Sequence, residues 1–471
     1  MTLNDRKRLH QTQPSQVAMS QLGESATKLA IVAHDEQDEQ DEAKKQKLDN
    51  TRARRAVRYT ECQTQPRRTK RSSRRLSGEK LPALSQSMDL GHPLDILDLK
   101  RMRQPVGSKL YVMDACDKEG KQFCKAIAGG VDDLETIPDF DKDAEYSLAD
   151  DDTVKALPYR TTTLAFLPRA DRVVIASGDK EGHVALWSPS TGAMKSSAAL
   201  SRPHGFPVTH LIFPDSSTLL SSSIDGTVRE FDLHAAKSSR DISDDVGITS
   251  LIGSGNPQFY YASCEDGTLR LVDRRARKMH STQYVLHHNR INSVDQHPVL
   301  DFCIVTASTD ATVCLWDKRM ISFDESVPIA RLRLENSIHC AHFSHDGLWL
   351  AAVGEDSYID MYNVSNLKSR HTTNPFKIRS WARVPYNTKT PSHTKLRPAW
   401  DPRRKNQFAI GCLDHPTKLQ IFRAGQVKPI HKLRRSGNVK ITSADVVTVY
   451  HPHYDIIAGG NASGHVSLWR A

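Results

Sequence analysis

The sequence predicts an all-β protein, a closed seven-bladed β-propeller preceded by a largely disordered, charged N-terminal region. Three observations carry that prediction. A phrase of about ten residues, small-small-x-Asp-Gly-Thr-Val-x-x-aromatic-Asp, returns with variations down the last two thirds of the 471-residue chain. Its closing positions, Trp187, Phe231, Val272, Trp316, Tyr362, Phe422 and Trp469, are separated by 44, 41, 44, 46, 60 and 47 residues, and a spacing of roughly 40–45 is that of a four-stranded blade. Short apolar runs closed by a turn residue, usually proline, precede most copies.

Residues 1–90 come first and are poor in apolar side chains. They hold the acidic run Asp35-Glu-Gln-Asp-Glu-Gln-Asp-Glu42, then turn basic, with 14 Lys or Arg against three acids between Lys44 and Lys80. Such a stretch buries too little apolar surface to offset its ordering entropy, so a disordered arm is expected. The cluster Arg67-Arg-Thr-Lys-Arg-Ser-Ser-Arg-Arg75 reads as a nuclear import signal or a nucleic-acid tether, against solvated disorder without a role. Residues 91–152 are expected as an acidic linker, marked by Asp132-Asp133, Glu135, Asp139, Asp141, Asp143, Glu145 and Asp150-Asp-Asp152.

The propeller is expected over 153–471. Within each unit, turns such as Asp225-Gly226 and Asp266-Gly267 supply positive φ, and alternations such as Thr-Val-Arg-Glu-Phe suit half-buried strands, so each unit contains a hairpin. An earlier strand precedes it, marked by Leu164–Pro168, Leu211–Pro214, Val294–Pro298, Ala341–His345, Ala399–Pro402 and Val449–Pro452; proline lacks the donor a ladder needs and ends the run. The last unit finishes one residue before Ala471, so its outer strand is expected from the segment near 153–160.

Composition narrows the function. Eight cysteines stand at 62, 116, 124, 264, 303, 314, 340 and 412 without a Cys-x-x-Cys pair, so they read as small apolar residues and no metal site or cofactor is expected. No apolar run approaches the roughly 18 residues of a membrane span and no signal peptide is visible, so an intracellular protein is expected, in the nucleus if the basic arm is an import signal. The repeated aspartates fall in turns, where they cap backbone donors. No Walker loop, Gly-x-Ser-x-Gly or His-Glu-x-x-His is present, and no enzyme is expected.

The strongest functional signal is in the sixth unit, where the spacing stretches to 60. Between Lys368 and Lys405 lie 11 Lys or Arg and one acid, Asp401, interleaved with Phe376, Trp381, Tyr386, His393 and Trp400. Cations mixed with aromatic residues suit phosphate neutralisation and stacking, against a loop of merely solvated lysines. Trp400 occupies a strand position and is expected in the core.

The repeated phrase resembles the WD-repeat family. Three stretches, Arg71-Ser-Ser-Arg-Arg-Leu-Ser-Gly78, Ala176-Ser-Gly-Asp-Lys-Glu-Gly-His-Val-Ala-Leu-Trp187 and Tyr386-Asn-Thr-Lys-Thr-Pro-Ser-His-Thr-Lys-Leu-Arg-Pro-Ala-Trp-Asp-Pro402, resemble its damage-binding branch. The resemblance implies a propeller with one face on double-stranded DNA, damaged or distorted, where basic residues at strand tips hold phosphates. By position it assigns that role here to Arg160, Lys180, Arg290, Lys395 and Arg397. It further implies a hairpin that wedges into the minor groove, with its tip here at Lys389 to His393; the inserting aromatic of that pattern is absent, and Pro391 and His393 stand in its place.

The same resemblance assigns Asp273-Arg-Arg275 and Asp317-Lys-Arg319, on the opposite face, to docking the adaptor of a cullin-4 ubiquitin ligase. Asp273, Arg275, Asp317 and Arg319 also read as local pairs that stabilise turns. The function expected is therefore a non-enzymatic DNA-binding propeller of the DNA damage response and genome maintenance. Its partners would be duplex DNA and chromatin proteins, with no membrane and no small-molecule substrate. The alternative is a protein-interaction scaffold or ligase substrate receptor on chromatin, whose basic stretch meets an acidic protein or RNA.

Overall fold

The computed structural model describes residues 109–112, 118–129, 145–190, 196–243, 245–275, 282–323, 326–369, 378–388, 396–414, 417–434 and 443–471. All of them fall in the unit Leu84–Ala471. The acidic run and basic cluster of the arm lie outside the described residues, as do Lys389, Pro391, His393 and Lys395.

Seven antiparallel sheets form a ring. Their innermost strands, Thr161–Phe166, Val208–Ile212, Ile248–Gly253, Ile291–Gln296, Ile338–Phe343, Ala399–Trp400 and Asp445–Tyr450, open blades one to seven and pack against one another around the axis. The seven closing positions of the repeated phrase all lie in the third strands, from Val184–Ser188 in blade one to His465–Arg470 in blade seven. Apolar residues of neighbouring blades interleave into a core spread round the ring. One layer joins Trp187 and Leu200 of blade one to Ala458 and Val466 of blade seven, and Trp187, Trp316 and Trp469 are among the largest fully buried side chains.

The turn chemistry follows the sequence. Gly226 and Gly267 have φ of 79° and 83°, and a Cβ on Gly267 would lie 2.3 Å from the carbonyl oxygen of His287. Asp225, Asp266 and Asp310 each accept a 3.0 Å hydrogen bond from the amide two residues on, which fixes the tip of each hairpin. In blade four this turn continues into a buried network. Trp316 Nε1 donates to Thr306 Oγ1 at 2.7 Å, Thr306 Oγ1 lies 2.7 Å from His287 Nε2, and His287 Nδ1 lies 2.9 Å from Asp310 Oδ2. With the ring proton on Nδ1, every member is satisfied.

The ring is closed by two ends of the chain. Strand β2, Thr153–Lys155, pairs antiparallel with His465–Arg470 in the register Val154↔Val466, and Arg470 donates to Asp152 at 2.8 Å.

Within 91–152, the stretch read as a linker, the structure has two further elements. Strand β1, Lys109–Val112, runs parallel to Ser197–Ser201 as a fifth strand of blade one. Helix α1, Lys118–Ala128, buries Cys124, Ile127 and Ala128 against Leu167, Val174 and Leu233. Arg169, only 2% exposed, donates to the Ala128 carbonyl at the helix end and bridges Asp171. The sequence signal was the 124/127/128 spacing of one helix face, without any repeat to flag it.

Candidate functional site

Strand direction sorts the loops onto two faces. Each inner strand starts on the face that also carries the turn between second and third strands; the turn after the inner strand and the one after the third strand lie on the other. By this rule Arg160, Lys180, Arg290 and Arg397 share one face, while Asp273, Arg275, Asp317 and Arg319 share the opposite one.

The first four converge. Arg160 directly precedes the inner strand of blade one, Arg290 that of blade four, Arg397 stands two residues before that of blade six, and Lys180 occupies the hairpin tip of blade one. All four line one cavity of ≈ 350 Å³, together with Thr162, Pro207, Val208, Thr209, Ile224, Thr249 and Asn292. No carboxylate is among these lining residues.

The cations differ in how far their charge is met. Arg290 Nη1 bonds Glu265 Oε1 at 2.8 Å, with both side chains about a third exposed. Lys180 Nζ bonds Glu181 at 2.8 Å and lies 5.2 Å from the centre of the Tyr159 ring, a favourable position for a cation over a π-face. Arg160 and Arg397 have no acidic partner among the described residues. The Nε of Arg160 is buried without a hydrogen-bond partner, and burial lowers the pKa of both guanidinium groups.

Below the mouth lie His210, Asp295 and His342. Burial, with the charges of Arg397 and His342 added, pushes the His210 imidazole well below its ordinary range. Burial also works against charging His342, yet Asp295 at 3.5 Å and the neighbouring Cys340 outweigh it and hold the imidazole up at about 9. At neutral pH His342 is therefore a cation paired with Asp295, and His210 is neutral.

The neutral polar wall is already committed. Thr162 Oγ1 donates toward the Val208 carbonyl at 2.6 Å, Thr249 Oγ1 toward the Ser263 carbonyl at 2.9 Å, and Asn292 Nδ2 to the Ile338 carbonyl at 2.6 Å. The Thr162 and Asn292 bonds join inner strands of neighbouring blades, the Thr249 bond ties the inner strand of blade three to its second strand, and the guanidinium groups are the main donors offered to a ligand. Sequence reasoning missed this ring of Thr162, Thr209, Thr249 and Asn292. Its signal was a small polar residue at the second position of successive inner strands.

The basic stretch Lys368–Lys405 is divided by the fold rather than presented as one surface. Its extra length falls in two connections on opposite faces: the one between Asn363 and Ser380, and the one between Pro385 and Ala399 that carries Arg397. Arg383, on an outer strand, bridges Glu335 and Asp356. Arg403 and Arg404 sit in the turn after the inner strand, on the far face, and bond Asp455 at 3.2 and 2.7 Å. Tyr386 is buried with its hydroxyl on the Gly411 carbonyl, and Trp400 is buried with Nε1 on the His342 carbonyl, as expected of a core residue. Trp381 is 64% exposed, on the outer strand beside Trp349. Sequence adjacency overstated this cluster because a propeller sends consecutive loops to alternate faces.

On the opposite face Arg275 and Arg319 each grip their own aspartate through two nitrogens, with closest contacts of 2.8 and 2.6 Å. They remain 66% and 51% exposed. Exposed Met320, Phe323 and Val327 follow Arg319 in the chain.

Two features look catalytic but are closed off. His204 lies between Ser221 Oγ at 2.8 Å and Asp225 at 3.3 Å, and His287 between Thr306 and Asp310. Both histidines and both hydroxyl residues are buried in blade interiors. A second cavity, ≈ 620 Å³ between blades five and six, is lined by Asp356 and Asp414 as well as Lys432 and carries no single sign of charge. Among the described residues no three His, Cys, Asp or Glu side chains gather as metal ligands.

The family model "WD domain, G-beta repeat" matches residues 197–232 and 280–317, in blades one to four. The chain is 26% identical over 349 residues to DNA damage-binding protein cmr1 of Emericella nidulans, covering 67% of this chain and 66% of the relative. It is 25% identical over 344 residues to WD repeat-containing protein 76 of Xenopus laevis, covering 69% of this chain and 55% of the relative. The chain thus spans just under two thirds of the fungal relative's length and about half of the frog protein's. The β-propeller domain of Myceliophteria thermophila Cps50 (Swd1) superimposes with a TM-score of 0.54 at 17% identity, covering 69% of this chain and all of that one, a likeness of fold. The chain folds as a seven-bladed β-propeller with WD repeats at residues 197–232 and 280–317.

Proposed function

We propose that this protein is a nuclear, non-enzymatic DNA-binding propeller of the DNA damage response, docking duplex DNA, preferentially damaged or distorted, on the face that carries Arg160, Lys180, Arg290 and Arg397. One observation carries the reading: four cations far apart in sequence line one acid-free cavity at the mouth of the axis. Long side chains at such a rim position phosphates without reading bases. The printed names of the relatives, DNA damage-binding protein and WD repeat-containing protein, support the same reading. Lys389, Pro391, His393 and Lys395 belong to the connection that ends at Arg397, and the proposal gives them contact with the same duplex.

The test is fluorescence anisotropy of the purified chain on one labelled duplex, intact or carrying an ultraviolet lesion, across a salt series, with Lys389→Glu/Arg397→Glu beside the wild type. Steeply salt-dependent binding that is tighter on the lesion and weakened by the double change is the expected result. Equal binding to both duplexes removes the damage preference, and absence of binding at moderate salt removes the DNA reading.

A second reading concerns the opposite face, where Arg275 and Arg319 stay exposed despite their aspartates, beside exposed Met320, Phe323 and Val327. This supports docking of a ligase adaptor of the cullin-4 type or a chromatin protein there. Arg275→Glu/Arg319→Glu is expected to abolish co-purification of such an adaptor while leaving DNA binding intact; unchanged co-purification would reduce both pairs to turn stabilisers.

A further inference from the structure

The axial cavity has features that a phosphate-tracking surface does not need. Its ≈ 350 Å³ sits at the low end of the roughly 300–1,000 Å³ of small-ligand sites, and a duplex cannot enter it. Its lining combines the four cations with the partly exposed apolar side chains of Pro207 and Ile224. The Thr162 and Thr249 hydroxyls and one Asn292 N–H turn into the wall, which leaves the cations as the main donors for a ligand. Arg160 and Arg397, by contrast, hold their charge in an enclosed space without an acidic partner among the described residues. An unmet guanidinium in such a place gains strongly from an anion, since it can form two parallel charge-assisted bonds to phosphate oxygens.

We propose that this cavity is a binding site for a small organic phosphate of mononucleotide size, its phosphate held by Arg397 and Arg160 and its body against Pro207 and Ile224. The site uses the same cations as the proposed DNA face but rests on the cavity's volume, its apolar part and its unpartnered guanidinium groups. Its failure is therefore separable from failure of the DNA reading. Lys180 and Arg290, already shared with Glu181 and Glu265, add long-range attraction and contribute less to the contact.

Isothermal titration calorimetry on the full chain at low salt tests the proposal with three probes, adenosine 5′-diphosphate, inorganic phosphate and adenosine. The expected result is one diphosphate per chain, bound more tightly than either fragment. Arg397→Met should weaken it by about 10- to 100-fold, the loss of a hydrogen bond to a charged group, and Arg397→Lys by less. Thermal unfolding of Arg397→Met should be no earlier than the wild type's, because that change removes a desolvated charge; if it misfolds, the lysine variant carries the test. Three results overturn the proposal: no diphosphate binding, binding unaffected at Arg397, or inorganic phosphate bound as tightly as the diphosphate. No diphosphate binding beside normal duplex binding removes this inference and leaves the DNA reading standing, whereas the converse removes the DNA reading alone.

Discussion

Changing Arg160 and Arg397 to glutamine together should flatten the salt dependence of duplex binding by a calculable amount. Each phosphate neutralised by a protein cation releases counterions and contributes about 0.9 to the slope of log affinity against log salt. Four cations line the mouth, so they set a ceiling of about 3.6 on their joint contribution. Lys180 and Arg290 enter already paired with glutamates, must surrender or share those partners, and fall short of a full count each. Arg160 and Arg397 have no acidic partner among the described residues, and their removal should lower the slope by about 1.8 whatever other loops add. If the four alone held the duplex, raising salt from about 50 to about 200 mM would weaken the wild type by at most about 150-fold and the double variant by at most about 12-fold. Anisotropy titrations at four or five salt concentrations measure both slopes. A variant that still binds duplex with the wild-type slope would refute the argument, since the phosphates would then be met elsewhere.

Other consequences follow from the blade interiors. Thr306→Val strands the Trp316 indole N–H and His287 Nε2 and should cost about 2–6 kcal/mol in urea unfolding, at about 1–3 for each orphaned group; Thr306→Ser keeps the hydroxyl and should cost about 1. Burial pushes the Asp310 carboxyl up, but bonds from His287 and Thr312 outweigh it and hold it at about 2. A carboxyl depressed in the folded state contributes stability above its unfolded value, near 3.9, that is lost as pH falls toward 2. Asp310→Asn should therefore remove about 1–2 kcal/mol at pH 7, after allowance for the aspartate's partial exposure, and flatten the unfolding curve between about pH 5 and 2. Burial pushes the Cys124 and Cys303 thiols up to about 12, so iodoacetamide at pH 8 should leave both unmodified in the native protein and label them in denaturant, read by peptide mass spectrometry.

The ring was legible because each blade restates it. Asp-Gly tips, a buried third-strand hydrophobe and a proline after the inner strand recur often enough that one degenerate copy does little harm. The inner strand of blade three, Ile248–Gly253, was the one without a marker, since Ser254-Gly255 follows it in place of proline; its existence followed only from the count of blades. Strand β1 and helix α1 lacked even that support. Each occurs once, β1 on the edge of blade one and α1 against blades one and two, and nothing in a 40-residue period points to an element used once.

For the candidate site the position of a residue in the repeat told more than the density of charge. Lys368–Lys405 has the heaviest basic content in the propeller, yet Arg383, Arg403 and Arg404 are spent on Asp356, Asp455 and their neighbours. Arg160, Arg290 and Arg397 are scattered single residues, and they meet because each stands one or two positions before an inner strand. Inner strands converge on the axis, so whatever side chain precedes them is delivered to its mouth, however distant it is in sequence. Hairpin-tip acids on the same face, Asp225, Asp266 and Asp310, are held by His204, Arg270 and His287, and Glu181 and Glu265 by Lys180 and Arg290. A cation at such a position without an acidic partner among the described residues costs folding energy by desolvation, and under the proposed reading an anion that the ring itself does not supply offsets that cost at Arg160 and Arg397.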